Sequence, residues 1–213
     1  MDPLGRLHLI TDRVDVAAAA LAAGVPVVQV RVADHVTDRA AYDLAGRIRA
    51  LCHEHGATCL INDRLDVALA VGADGAHVGA DDLPVAAARR VLGPAAVLGA
   101  TCRDPASARA AVADGASYLG VGPAYQTTTK AGLPPALGPA GVAAVARAVP
   151  DVPVIAIGGI TVERVAPLRD AGAYGVAVVG AVNAAADPGA ATGELLRAVS
   201  GPAQVSGSAQ VSP

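Results

Sequence analysis

The stretch Gly120-Val-Gly-Pro-Ala-Tyr-Gln-Thr-Thr-Thr-Lys130 concentrates donors in a way that suits an anion. Hydroxyls at Thr127, Thr128 and Thr129, the ammonium of Lys130 and exposed backbone N–H groups would together surround a phosphate. A solvated threonine-rich loop with a flexible lysine is the plainer reading of the same letters. The balance tips because the other polar clusters occupy a comparable place, just behind a short apolar run. These are Gln29-Val-Arg31, Asn62-Asp63-Arg64, Asp81-Asp82 after Gly79, Thr101, Gly158-Gly159 and Gly180.

Each cluster has its own chemistry. Asp63 and Asp82 could share one Mg²⁺, which prefers one or two carboxylates, several waters and substrate phosphate oxygens to a full protein cage. Alternatively, Asp63 pairs with Arg64 or Arg31, and Asp82 caps a helix that starts near Pro84. Arg31 offers a phosphate two parallel hydrogen bonds, and Lys130 meets one as a point charge. Gly158-Gly159 and Gly180 would turn backbone N–H groups toward a second phosphate, or simply serve as turns. One metal, two cationic side chains and two separate nests suit two phosphorylated substrates.

These groups need elements that bring them to one place. Continuous apolar runs predict strands at Leu7–Thr11, Val27–Arg31, Thr58–Asn62, Ala76–Gly79, Ala96–Thr101, Tyr118–Val121, Val152–Ile157 and Tyr174–Val179. Runs without alternation indicate parallel strands buried on both faces. Helices are expected between them at Asp38–His55, Leu65–Val71, Pro84–Leu92, Pro105–Ala113, Pro139–Val149, Val162–Ala171 and Asp187–Val199. Pro84, Pro105 and Pro139 fit a first helical turn. Pro167 predicts a kink or a later start. Eight strands alternating with helices predict a single-domain (β/α)₈ TIM barrel over residues 1–199, since about 200 residues is the lower limit for that fold. No G-x-G-x-x-G follows the first strand, which disfavours an open doubly wound sheet. In such a barrel the working groups sit at the carboxyl ends of the strands, where all these clusters fall. Residues 200–213, with a near-repeated Ala-Gln-Val-Ser, are expected to be a disordered tail.

Composition narrows the function further. The chain has 213 residues and is 53% hydrophobic, without Phe or Trp, so Val, Leu, Ile and Ala must form the core. A net charge of -3 and almost no aromatic surface disfavour a nucleic-acid partner. The longest apolar stretch, Val16 to Val28, is too short for a bilayer, and the beginning lacks signal-peptide layout, so no membrane partner and a cytoplasmic location are expected. Cys52, Cys59 and Cys102 read as core filler. His53 and His55 suit the C-terminus of a helix better than a metal. His8 and His77 read as packed, hydrogen-bonded core residues.

The motifs His-Leu-Ile-Thr-Asp at 8–12, Val-Gln-Val-Arg at 28–31 and Ile-Asn-Asp-Arg at 61–64 come in order with three more. These are Gly-Ala-Asp-Gly-Ala-His-Val-Gly-Ala-Asp-Asp-Leu-Pro at 72–84, Gly-Val-Gly-Pro…Thr-Thr-Thr-Lys at 120–130 and Ala-Ile-Gly-Gly-Ile-Thr at 156–161. In this the chain resembles the thiamine-phosphate synthase family from about Leu7 to Val199. The resemblance implies condensation of 4-amino-2-methyl-5-(diphosphooxymethyl)pyrimidine with a thiazole phosphate, releasing pyrophosphate. It implies Mg²⁺ on Asp63 and Asp82, and the pyrimidine pyrophosphate on Gln29, Arg31, Asn62 and Lys130. Thr101 stands where the family usually has serine; it joins Arg31 and Lys130 in the catalytic set. Thr127, Thr128, Thr129, Gly159, Val179 and Gly180 would hold the thiazole phosphate. Two positions depart from the pattern: Ala33 replaces a lysine, and Gln126 a common proline. Two other readings are a thiazole tautomerase, whose acting histidine would fall at Arg103, and a non-catalytic binder of thiamine phosphate, favoured by Ala33.

Overall fold

The computed structural model describes residues 4–127 and 132–201. Eight parallel strands close into a barrel in sequence order. They are β1 Leu7–Thr11, β2 Val27–Val30, β3 Thr58–Asn62, β4 Gly75–Val78, β5 Val97–Cys102, β6 Tyr118–Val121, β7 Val154–Ile157 and β8 Gly175–Val178. Closure between β1 and β8 pairs Leu7 with Val176 and Leu9 with Val178. The architecture is the predicted single-domain (β/α)₈ barrel.

The helices are α1 Val14–Ala22, α2 Asp38–His55, α3 Leu65–Val71, α4 Val85–Leu92, α5 Pro105–Ala113, α6 Gly138–Ala148, α7 Val162–Asp170, α8 Gly180–Asn183 and α9 Pro188–Ser200. α2 begins where the Thr37 side chain accepts from Ala40 N–H and ends on left-handed Gly56. Asp104 and Ser107 form a reciprocal capping box at α5. Pro105 and Pro139 lie in first turns as expected, whereas Pro84 is the residue before α4. α7 starts at Val162 and continues through Pro167. Only the bond that Pro167 would send back to Glu163 is lost, and buried Val165 and Leu168 hold the helix to the barrel.

α1 and α8 have no counterpart among the sequence expectations. α1, Val-Asp-Val-Ala-Ala-Ala-Ala-Leu-Ala, has no capping side chain and little polar contrast around its circumference, so it shows no helical period. It packs against α2 and α9. α8 is four residues long, and its Asn183 closes the barrel seam. The Asn183 amide donates to the carbonyls of Ile10 and Val179, and its oxygen accepts from the Thr11 hydroxyl.

Two apolar layers result. Most buried residues lie between sheet and helices. A smaller cluster of Leu4, Ile10, Val27, Leu60, Tyr118, Ile155 and Ala177 fills the barrel itself. Residues two apart along a strand share a face, so Gln29 lies inward with Val27, and Asn62 with Leu60. The three cysteines are buried and unpaired. The Cys52 contact, reinforced by burial, raises the Cys59 thiol far above its ordinary range, and burial pushes Cys102 up to about 11. Both act as apolar filler. Of the expected tail at residues 200–213, Ser200 ends α9 and everything from residue 202 onward lies outside the described residues.

Below the sheet, the Arg89 guanidinium donates to the carbonyls of Gly93, Ala96 and Gly115 and to Ser117 Oγ. Ser117 Oγ in turn accepts from Leu98 N–H, so one cation ties the entries of β5 and β6. Replacing Arg89 by Met will lower the unfolding free energy in urea by about 1.5–3 kcal/mol, as for loss of charge-assisted bonds to sheltered acceptors. Replacing Arg39, whose pair with Asp43 is exposed, will change it by less than about 1 kcal/mol.

Candidate active site

The carboxyl ends of the strands form one mouth, and the inward side chains of β2, β4, β5 and β6 are joined beneath it. Gln29 is buried and donates through Nε2 to the Tyr118 hydroxyl at 3.5 Å. That hydroxyl lies 3.0 Å from His77 Nδ1, and His77 Nε2 lies 2.9 Å from Thr101 Oγ1. The His8 ring packs edge-on against Tyr118. His77 is therefore packed and hydrogen-bonded as expected, yet it also holds the candidate catalytic hydroxyl. Burial holds the His77 pKa down to about 4, and the charges of His8 and Arg31 push the same way; Asp82 opposes them. Arg31 and Asp82 thus both lie within electrostatic reach of this ring.

Asp63 directly follows β3, and Asp82 lies in the loop between the neighbouring β4 and α4. Asp63 is the one non-glycine residue with positive φ among the described residues, at 63°. Its N–H donates to the His77 carbonyl at 2.9 Å, and its carboxylate accepts from the Asn62 amide. A left-handed backbone at a non-glycine residue is characteristic of functional turns. Asp82 turns its Oδ2 back onto Gly79 N–H at 2.6 Å. It does not cap α4, whose preceding residue Pro84 receives no side-chain cap. A Cβ on Gly79 would come within 2.9 Å of that oxygen, so the bare glycine lets the carboxylate fold in. Arg64 does not serve Asp63 either: its guanidinium donates to Asp38 at 3.0 Å and to the Val36 carbonyl at 2.6 Å. Arg31 enters no ion pair among the described residues.

On the opposite side, β7 runs into Gly158 and Gly159, with φ of 98° and 62°. Tyr125 N–H donates to the Gly158 carbonyl at 3.0 Å. A Cβ on Gly159 would approach the Gln126 carbonyl oxygen to 2.5 Å. The segment leading to Thr127 therefore lies directly on the Gly-Gly turn, which joins two parts of the expected phosphate seat. Arg164 locks the junction, donating to the Gly159 carbonyl at 2.6 Å with its guanidinium 4.6 Å from the Tyr125 ring centroid. Arg103 donates to the carbonyls of Gly122 and Pro135, bracing both arms of the same loop. Val179 follows β8, the strand paired with β7, and Gly180 opens α8. Thr128, Thr129 and Lys130 lie outside the described residues.

The sequence does not show the bracing roles of Arg103 and Arg164 or the contacts of His77 and Tyr118. The available signal was a pair of glycines, Gly99 and Gly120, inside strands that flank the aromatic positions. A Cβ at Gly99 would reach Tyr118 Cζ at 2.2 Å and His77 Nδ1 at 2.4 Å.

Residues 6–182 match the family model described as thiamine monophosphate synthase. The chain belongs to that family. It is 64% identical over 207 residues to the thiamine-phosphate synthase of Salinispora tropica, covering 93% of this chain and 99% of that protein. Its identity to the Salinispora arenicola protein of the same name is 62% over 207 residues, with the same coverage. A solved structure, thiamine phosphate pyrophosphorylase from Pyrococcus furiosus, aligns with a TM-score of 0.84 at 33% identity. The alignment covers 92% of this chain and 95% of that one. No helix among the described residues is long and apolar enough to cross a membrane.

Two outcomes are expected. A histidine whose folded pKa is depressed to about 4 contributes stability above its unfolded pKa near 6.5 that is lost as pH falls toward 4. Unfolding free energies measured from pH 7 to 4 will therefore fall less steeply in His77→Gln than in the parent. Gly159→Ala will weaken binding of a phosphorylated ligand roughly tenfold or more, because a strained φ of ~1–2 kcal/mol adds to the clash with Gln126. Calorimetric titration checks the second.

Proposed function

We propose that this chain, a transferase of the thiamine monophosphate synthase family, joins 4-amino-2-methyl-5-(diphosphooxymethyl)pyrimidine to a thiazole phosphate and releases pyrophosphate. The observation that carries this reading is the placement of Asp63 and Asp82 in the turns after adjacent strands, with Asp63 N–H on the His77 carbonyl and Thr101 on the His77 ring.

The donor set fits Mg²⁺. The Asp63 carboxylate accepts from the Asn62 amide and Asp82 Oδ2 from Gly79 N–H, and Asp82 Oδ1 has no hydrogen bond among the described residues. No group of three or more His, Cys, Asp or Glu side chains converges among them. Two carboxylates completed by water and substrate oxygens match Mg²⁺, where a tetrahedral zinc site would need more protein ligands. When bound there, Mg²⁺ would supply charge neutralisation to the departing pyrophosphate.

The remaining work falls to donors. Arg31, Asn62, Gln29, Thr101 and Lys130 would bind the pyrimidine pyrophosphate, and preset donors strengthen as negative charge collects on the leaving group. The aminopyrimidine ring stabilises the methylene cation left behind, and the thiazole nitrogen captures it. Such a reaction needs no side-chain nucleophile or strong base. The β7 and β8 turns, with Thr127, Thr128 and Thr129, would hold the thiazole phosphate so that the nitrogen faces that carbon. His77, uncharged near neutral pH, leaves the cationic groups to the rim. Arg103 stands where a tautomerase would need its histidine, and its guanidinium is committed to Gly122 and Pro135.

Mixing both phosphorylated substrates with Mg²⁺ will yield thiamine phosphate and pyrophosphate in equal amounts. Asp82→Asn will raise the Mg²⁺ concentration for half-maximal rate by roughly tenfold or more, one lost charge-assisted contact. Well-folded protein that makes no product would overturn the proposal.

A further inference from the structure

We infer that His77 is a positioning residue that fixes the Thr101 hydroxyl as a hydrogen-bond donor to the anion at the barrel mouth. The inference rests on the synthase reading for the identity of that anion, but the polarity of the chain stands on local geometry.

Gln29, Tyr118, His77 and Thr101 form one line of contacts of 3.5, 3.0 and 2.9 Å. A neutral imidazole has one N–H and one lone pair, so its two neighbours must play opposite roles. Two considerations set the direction. The Tyr118 hydroxyl already faces a donor, the Gln29 amide nitrogen, so its own proton points to His77 Nδ1. A phenol is also a stronger acid than an alkanol, so the imidazole lone pair takes the tyrosine proton in preference to the threonine one. Nε2 then carries the ring proton and donates to Thr101 Oγ1. With that oxygen accepting, the threonine proton must be sent elsewhere, and Thr101 is exposed at the mouth. The opposite polarity would spend the Thr101 proton on His77 and turn oxygen lone pairs toward an anion.

The ring has little freedom to do otherwise. His77 is wedged where a Cβ on Gly99 would reach Nδ1 at 2.4 Å and one on Gly120 would reach Cε1 at 2.9 Å. The hydroxyl beyond it is thus preset, which is the condition under which a donor stabilises developing charge without reorganising.

Two measurements decide it. Nitrogen NMR of the resting protein labelled at histidine nitrogens will find His77 protonated on Nε2 and bare on Nδ1; the other tautomer would overturn the inference whether or not the enzyme turns over. In steady-state kinetics, Thr101→Val will lower kcat for thiamine phosphate formation roughly 10- to 100-fold, more than it raises KM, and Thr101→Ser will restore the loss. Tyr118→Phe, which removes only the phenol oxygen, will lower kcat about three- to tenfold in the Thr101 background and have little further effect when Thr101 is Val. Additive losses would reduce His77 to packing and sink the proposal. Should the parent make no product, the same cycle read as affinity for inorganic pyrophosphate with Mg²⁺ separates failure of the synthase reading from failure of this one.

Discussion

An imidazole and a phenol share the middle of this barrel only because Gly99 and Gly120 leave room for them. The interior of an eight-stranded barrel is filled by side chains, so a large residue on one strand requires a small one opposite. Here the His77 and Tyr118 rings stand on β4 and β6, and the strand between them carries Gly99 at the level where they meet. From that packing follow the contacts to Gln29 and Thr101, and hence the positions of the groups on β2 and β5. Space, before charge, decides which hydroxyls reach the mouth.

Around this interior the rim divides by chemistry. The ends of β2 to β5 carry carboxylates, an arginine, an asparagine and a hydroxyl, suited to a metal with a pyrophosphate. Backbone dominates the ends of β6 to β8: the Gly158-Gly159 turn, the segment entering at Tyr125 and the start of α8. Two arginines whose job is structural hold that second half in shape. Arg103 joins the arms of one loop, and Arg164 joins that loop to its neighbour. They make the backbone a fixed surface, as phosphate recognition by N–H groups requires.

The barrel was legible because its strands are continuous apolar runs, and the eight predicted ones differ from the observed ones by no more than two residues at either end. α1 was not, because a helix of valine and alanine offers no polar stripe to show its period. Rim residues such as Asp63 were legible from their place after a strand. What they touch was not: Asp82 looked like a helix cap and instead grips Gly79, and Arg64 looked like a partner for Asp63 and instead serves Asp38. Such choices depend on loop paths, which a letter string does not encode. His77 illustrates the middle case, since the packed core residue it resembled is also what holds Thr101.

The seam at Asn183 bears on how the molecule is made. One amide on the eighth βα unit links the tips of the first and last staves, so the ring has no such clasp until that unit has emerged. Until then the leading stave keeps an unpaired rim of amides and carbonyls, the kind of border that invites a stray partner. Nascent chains stalled before the clasp should therefore call on chaperones more than finished ones do.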